Sequence, residues 1–156
     1  MMEEIRQAVE RDVPRVVELG RKFLSEGPYK GQISDKPEQA TRFATLLIGN
    51  PNARILVSDE EGTITGVLAF ILFPHHFTGE VYALEIIWYV EPQYRPGGIA
   101  MRLMWEAERM AFEMGAIFMQ FTAPDAKASA IYERFGYHPV EVGYQKELRC
   151  QFSAQH

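Results

Sequence analysis

The stretch ALEIIWYVEPQYRPGGIAMRLMWEAERMAFEM, residues 83–114, decides the fold of this chain. It opens with an apolar run of β-branched and aromatic residues, Leu84–Val90, which predicts a buried strand. Glu91 and Pro92 end that strand, and Arg95–Gly98 predicts a tight glycine turn. Apolar residues then recur at helical spacing, at Ile99, Leu103, Ala107, Met110, Ala111 and Met114. The stretch therefore predicts a strand, a glycine-rich loop and a helix.

The glycine-rich loop before this helix is expected to bind an anion. The first N–H groups of a helix have no intrahelical acceptor, and they lie at the positive end of the helix dipole. Gly97 and Gly98 let a phosphate approach the backbone with no Cβ in the way. The chain has neither G-x-G-x-x-G nor G-x-x-x-x-G-K-[ST], the loops of dinucleotide and nucleoside-triphosphate sites. The loop predicts another phosphate-bearing cofactor, and taken alone it is equally compatible with an ordinary βα connection.

Composition predicts one globular domain over residues 1–156, with a core of about 4–148 and a short C-terminal tail. A net charge of −5 argues against a general nucleic-acid binder, whose affinity would depend on a basic face. No apolar run is long enough to span a bilayer, and the N-terminus is too charged for a signal peptide. The single cysteine, Cys150, excludes an internal disulfide. A cytoplasmic protein without a membrane partner is expected.

The order of elements predicts an α/β (α+β) fold, β-α-α-β-β-β-α-β-α-β. Short turns between the three middle strands predict antiparallel pairing, and a helical crossover predicts that the next strand is parallel. Gly66 is expected to interrupt its strand, and Asp12 to cap the first helix. The predicted strands are 4–9, 53–58, 63–73, 81–90, 116–121 and 137–148, and the predicted helices are 13–27, 38–48, 98–114 and 124–135.

The loop resembles the acyl-CoA loop of the GNAT superfamily of N-acyltransferases. Arg95-x-x-Gly98-x-Ala100 follows Val90-x-Pro92, where the family has Q/R-x-x-G-x-G/A after a strand that ends in V-x-P. The order of elements around the loop is also that of the GNAT fold. The resemblance implies a mixed, mostly antiparallel central sheet flanked by helices, with the acyl-CoA loop between a central strand and the following helix.

The C-terminal part carries a second match to this family. The matching residues are Ala128-x-x-x-Tyr132-x-x-x-Gly136-Tyr137, followed by Tyr144-x-Lys146-x-Leu148. The resemblance thus covers nearly the whole chain, and it implies an acyl-CoA-dependent N-acetyltransferase with acetyl-CoA as co-substrate.

The resemblance also implies where the cofactor lies. The loop of Arg95, Pro96, Gly97, Gly98, Ile99 and Ala100 is expected to bind the CoA pyrophosphate through its backbone N–H groups, with added charge from the arginine. Pro96 lacks an N–H and removes only one donor. Strands 83–90 and 117–121 are expected to splay apart and admit pantetheine, which main-chain groups of Trp88, Tyr89 and Val90 would hold while polarising the thioester carbonyl. Asp125 stands where the family commonly has an asparagine that touches CoA, which puts that contact in doubt.

Tyr132 is the predicted general acid. By resemblance it corresponds to the family's helix tyrosine near the CoA sulfur. A phenol with a pKa of ~10 can donate a proton to a thiolate whose conjugate acid has a pKa of ~8.5. The alternative is that Tyr132 packs in the core between its helix and the sheet.

Glu85 is the predicted general base, because it interrupts an apolar strand and therefore needs a partner or a cleft. Family members often use a glutamate on this strand, but the register does not single out Glu85. Glu80, His75 and His76 are the alternatives. Adjacent histidines are expected to point apart, so no metal site is predicted.

The resemblance predicts acetyl transfer to a primary amine, on a small molecule or a protein, with no nucleic-acid partner. Direct attack in a ternary complex is expected, because no serine or cysteine has an adjacent base. Segments 23–37 and 73–80 are expected to bind the acceptor. A homodimer through the C-terminal strand is a further implication. The alternative function is a non-catalytic acyl-CoA-binding or protein-interaction module with the same fold.

Overall fold

The computed structural model describes residues 3–149, so that Cys150 and the rest of the tail lie outside the described residues. The chain divides between Thr122 and Ala123 into two compact units. The described residues of the first unit include a five-stranded sheet and three α-helices, and those of the second include the α-helix Ala126–Arg134. That residues 1–156 form a single domain stays a prediction. No helix within residues 3–149 is long and apolar enough to cross a membrane.

The sheet of the first unit has its strands in chain order. They are β1 Glu3–Gln7, β2 Ala53–Glu60, β3 Thr63–Pro74, β4 Val81–Val90 and β5 Phe118–Gln120. Neighbouring strands from β1 to β4 pair antiparallel, whereas β4 and β5 pair parallel because the chain crosses over between them through a helix. The predicted mixed, mostly antiparallel sheet is confirmed.

Helices cover both faces of this sheet. In the first unit they are α1 Val13–Glu26, α2 Pro37–Gly49 and α3 Ile99–Glu113. Alternate residues of β2 and β3, among them Ile55 and Val67, form one core with the apolar stripes of α1 and α2. On the other face α3 packs against the sheet, with Leu103 beside Gly66.

Gly66 lies within β3 and does not interrupt it. A Cβ built at this position would come within 3.0 Å of Val90 Cγ2 and 3.1 Å of Leu103 Cδ1. The register also shifts beside it, because Ser58 pairs with Gly66 while Thr65 has no residue opposite. Glycine is therefore favoured here by the close approach of β4 and α3, the two elements that flank the glycine-rich loop.

The second unit contains α4, Ala126–Arg134, but no strand among its described residues, so the predicted strand at 137–148 is wrong. The alternating side chains that suggested it are all exposed: Val140, Val142, Tyr144 and Leu148. A strand needs a neighbour's N–H and C=O groups and a face to bury, and the described part of this unit offers neither.

Strand β5 is shorter than the predicted 116–121. The N–H of Ala116 still donates to Ala111 O at 2.9 Å, closing the end of α3. The N–H of Ile117 donates to Val81 O at 2.8 Å, and the ladder with β4 begins only at Phe118. The strand therefore starts later than the apolar pattern predicts, because Ala116 closes the end of α3 and does not pair with β4.

Candidate active site

The junction between β4 and α3 is a helical turn and not the predicted tight glycine turn. A 3-10 helix occupies Pro92–Gly97, and Gly98 follows in the left-handed conformation with φ +80° and ψ 6°. Because α3 begins at Ile99, its first N–H groups have no intrahelical acceptor. The junction is thus a helix N-terminus with a glycine before it, which suits an anionic group.

The pairing between β4 and β5 ends before β4 reaches this junction. The two strands pair at three positions only, Tyr82 with Phe118, Ala83 with Met119 and Leu84 with Gln120. Strand β4 continues to Val90, and no other described strand pairs with Glu85–Val90 on that side. An edge of main-chain N–H and C=O groups therefore leads from Glu85 to the loop.

Glu85 lies where the two strands part. A β-bulge on β4 marks the same point, since Phe70 pairs with Glu85 while the adjacent Ala69 pairs with Ile87. The N–H of Thr122 donates to Glu85 Oε2 at 3.4 Å. Burial raises the pKa of Glu85 to about 7, and the Thr122 N–H only partly opposes that rise. A carboxyl group with this pKa can accept a proton at neutral pH.

The alternative bases lie in the turn between β3 and β4. The rings of His75 and His76 stack with centroids 4.9 Å apart, so the prediction that they point apart is wrong. The two residues sit beyond the strand, in a turn closed by hydrogen bonds from Gly79 N to His75 O and from His75 N to Glu80 O. Strand alternation does not apply there. Within residues 3–149 no cluster of three His, Cys, Asp or Glu side chains could hold a metal ion.

The Arg95 side chain turns back toward the end of β4. Its Nε donates to Val90 O at 2.8 Å, and its Nη2 donates to Glu26 Oε2 at 3.1 Å. The guanidinium also lies 5.4 Å from the centre of the Tyr89 ring, whose hydroxyl donates to Glu26 Oε1 at 2.8 Å. Burial, together with this hydrogen bond, raises the pKa of Tyr89 to about 12. The side chains of Tyr89 and Arg95 thus hold the strand end against α1.

Two acidic residues of this region were missed by sequence reasoning. Glu26 is one, and it contacts Tyr89 and Arg95 from the last turn of α1. Glu91 is the other, a buried carboxylate whose pKa is lowered to about 2 by hydrogen bonds from Lys22, then Arg15 and Gln93, against the cost of burial. The available signal was an acid directly after an apolar strand, which needs a cationic partner when it is buried.

Trp88 faces the residue that follows β5. Its ring packs on that of Phe121, with centroids 5.4 Å apart and planes inclined by 54°. The aromatic contact joins the two segments that were expected to splay apart, and their splaying stays a prediction.

The second unit holds the remaining predicted site residues. Tyr132 is buried, with its ring centroid 6.1 Å from that of Tyr137. Asp125 is the N-cap of α4, and its Oδ1 accepts from Ala128 N at 2.8 Å. The carboxylate therefore has a capping role, which an asparagine could also perform. The roles of Tyr132 as acid and of Asp125 in cofactor binding stay predictions.

Known proteins share this fold along nearly the whole chain. An acetyltransferase of Trypanosoma brucei matches with 18% identity and a TM-score of 0.74, over 94% of this chain and 100% of its own. A predicted acetyltransferase of Clostridium acetobutylicum, solved with acetyl-CoA, matches with 19% identity and a TM-score of 0.76, over 94% and 97%. A transcriptional regulator of Bacillus halodurans matches with 22% identity and a TM-score of 0.77, over 94% and 99%.

The sequence itself identifies the family. No curated protein sequence matches significantly, but residues 17–137 match the model of the Acetyltransferase (GNAT) family. The matched segment includes β4, the glycine-rich loop and α4. The chain therefore belongs to the GNAT family of acetyltransferases, and it is an acyl-CoA-dependent enzyme that uses acetyl-CoA as co-substrate.

Proposed function

We propose that the enzyme transfers the acetyl group of acetyl-CoA directly to a primary amine, with Glu85 as general base and Tyr132 as general acid. The observation that carries the proposal is the position of Glu85. Its carboxyl group lies where β4 and β5 part, and its pKa of about 7 suits proton transfer at neutral pH. The acceptor enters as an ammonium ion, which must lose a proton before it can attack.

The proposed cofactor position follows the edge of β4. The pyrophosphate binds the N–H groups at the start of α3, where Gly98 leaves the approach open on one side. The pantetheine arm then runs along the edge of β4 from Val90 to Glu85, which pairs with no described strand on that side. This direction brings the thioester toward Glu85, which is the reason for assigning the base to this residue and not to the distant turn at 75–80.

The proposed reaction balances its protons in three steps. Glu85 removes a proton from the ammonium, through a water molecule, and the free amine attacks the thioester carbonyl to form a C–N bond. Main-chain N–H groups of β4 hold the oxyanion of the tetrahedral intermediate. The intermediate then expels the thiolate as the C–S bond breaks, and Tyr132 gives the thiolate its proton. The second proton of the amine nitrogen leaves as the amide forms and returns through water to the Tyr132 phenolate, while Glu85 releases its proton to solvent.

The test combines a thiol-release assay on a panel of amines with mass spectrometry of the quenched enzyme. The panel contains a polyamine, an aminoglycoside, a lysine peptide and a peptide with a free N-terminus. We expect CoA release with at least one amine, acetylation of that amine, and no acetylated enzyme. Stoichiometric acetylation of the protein without acceptor would exclude direct transfer, and lack of acetyl-CoA binding would exclude the cofactor site.

The catalytic assignments are tested with matched variants. Glu85→Gln is expected to lower kcat on the order of 100-fold, because a positioned base contributes about 10²–10⁴-fold. Glu80→Gln, an equal loss of charge in the exposed turn, is the control and should keep kcat within about twofold. Tyr132→Phe should lower kcat without weakening acetyl-CoA binding. If Glu80→Gln is the variant that loses activity, the base assignment is wrong.

A further inference from the structure

We propose that Glu91 is a positioning residue, whose carboxylate fixes the base of the glycine-rich loop in the shape that binds the acetyl-CoA phosphates. The proposal rests on the cofactor site proposed above. Glu91 is the residue that joins the end of β4 to the 3-10 helix at Pro92–Gly97. Its backbone direction therefore sets the direction of the loop.

Three donors converge on the Glu91 carboxylate. Lys22 Nζ donates to Oε1 at 2.6 Å and Arg15 Nη2 donates to the same oxygen at 2.8 Å. Gln93 Nε2 donates to Oε2 at 3.0 Å. Both cations come from α1, and Gln93 belongs to the loop itself. The side chain of Glu91 thus connects the loop to a helix that lies far away in sequence.

The backbone of Glu91 is held as firmly as its side chain. Its N–H donates to Thr65 O at 2.9 Å, and its C=O accepts from Tyr94 N at 2.9 Å. The bond to Thr65 continues the β3–β4 ladder by one residue beyond the Gly66–Val90 pair. Arg15 Nε also donates to Ile64 O at 3.0 Å. Strand β3, helix α1 and the loop are therefore joined at this one residue.

Charge repulsion and loop positioning predict opposite effects on acetyl-CoA binding when the Glu91 carboxylate is removed. Acetyl-CoA is a polyanion, so a carboxylate near its phosphate site should weaken binding by repulsion. Loss of that carboxylate would then strengthen binding, all the more because Arg15 and Lys22 would keep their charges. If the carboxylate instead holds the loop N–H groups in place, its loss weakens binding, because the loop must be ordered by the cofactor.

The deciding experiment is calorimetric titration of the protein with acetyl-CoA and with CoA. We expect Glu91→Gln to raise both dissociation constants on the order of tenfold. Glu18→Gln is the matched control, because Glu18 pairs with the same Arg15 and Lys22 but is exposed and does not contact the loop. It should change the dissociation constants by no more than about twofold. Unchanged or tighter binding by Glu91→Gln overturns the proposal.

A charge-neutral variant covers the case in which Glu91→Gln does not fold. The double variant Glu91→Gln with Lys22→Met removes one charge of each sign and leaves no lysine charge without its acid. Positioning predicts that it also binds acetyl-CoA more weakly than the wild type, whereas electrostatics alone predicts no change. Wild-type-like binding by the double variant overturns the proposal.

Two further measurements separate positioning from general stability. In steady-state assays the KM for acetyl-CoA should rise in Glu91→Gln while kcat changes by less than about threefold. Hydrogen exchange should increase for the loop amides, Gly97–Ala100, and stay unchanged in the strands of the sheet. Faster exchange throughout the first unit would mean a merely structural residue. If the wild type itself binds no acetyl-CoA, the proposed cofactor site is wrong, independently of any effect of Glu91.

Discussion

At the scale of a single residue, the burial of Glu85 gives it a pKa that suits a general base and also lowers the stability of the folded protein when the carboxyl group is ionised. Burial disfavours its charged form, which raises its pKa from an ordinary 4.5 to about 7. The Thr122 N–H, at 3.4 Å, only partly offsets this cost. The same desolvation that makes Glu85 a usable base therefore makes its ionised form unfavourable in the folded protein.

The pH dependence of catalysis should show the pKa of Glu85. Because the base must be deprotonated, kcat/KM is expected to rise with pH and to level off above about pH 7. The measurement is kcat/KM against pH in the wild type and in Glu85→Gln. In Glu85→Gln this rise of kcat/KM with pH should disappear, together with most of the activity. If kcat/KM of Glu85→Gln still rises with pH at the same midpoint, the titrating group is another residue.

Stability should depend on pH through the same residue. A carboxyl pKa raised on folding stabilises the folded state below the unfolded pKa of 4.5, and this contribution is lost as pH rises through about 7. The rise in pKa from 4.5 to about 7 corresponds to about 3 kcal/mol of folding free energy. Glu85→Gln should therefore unfold at higher urea than the wild type at pH 8, with little difference at pH 4. An equal difference at both values would contradict this linkage.

At the scale of elements, close packing between β3, β4 and α3 determines the geometry beside the loop. Gly66 allows β3 to approach Val90 and Leu103 so closely that a Cβ would lie 3.0 and 3.1 Å from their side chains. Both neighbours flank the loop, one at the end of β4 and the other in α3. The position of the loop therefore depends on a glycine in a different strand.

Gly66→Ala should destabilise the protein and disturb the loop. Inserting a methyl group against buried side chains costs about 1–3 kcal/mol, because the neighbours must shift. We expect a lower midpoint of urea unfolding together with weaker acetyl-CoA binding. Gly49→Ala is the control, since a Cβ there meets nothing within 4 Å. A Gly66→Ala variant as stable as the control would show that the neighbours can give way.

At the scale of the whole molecule, the described parts of the two units differ in how much of their backbone lies in helices and strands. The first unit carries the sheet and three α-helices, whereas residues 137–147 of the second unit have neither helix nor strand. Exposed segments outside helices and strands are where local opening costs least. Tyr144 in this segment is 96% exposed.

Chymotrypsin should cut the native protein first after Tyr144, because proteases need an exposed and locally open backbone. Phe77 is the internal control. It is 85% exposed, but it lies in a turn closed by hydrogen bonds between His75 and both Gly79 and Glu80, and it should be cut later. Mass spectrometry of timed digests measures the order. First cleavage at Phe77 would mean that the segment at 137–147 is better protected than its exposure indicates.

The sequence by itself determined the strand–loop–helix unit, the order of the strands and α-helices as far as α4, and the acetyltransferase family. These depend on local properties: apolar periodicity, paired glycines and spacing within a few residues. Glu85 could also be picked out, as an acid in an apolar strand. The assigned strand at 137–148 failed because alternation predicts a strand only where a partner and a buried face exist.

Only the tertiary structure determined which charges surround the loop. Glu91 meets Lys22 and Arg15 from positions 69 and 76 residues away, and Arg95 meets Glu26 across the same fold. Nothing in the local pattern selects such partners, since any of the sixteen Lys and Arg residues could have paired with Glu91. The pKa of Glu85 likewise depends on how deeply the folded chain buries it, which a one-dimensional pattern does not contain.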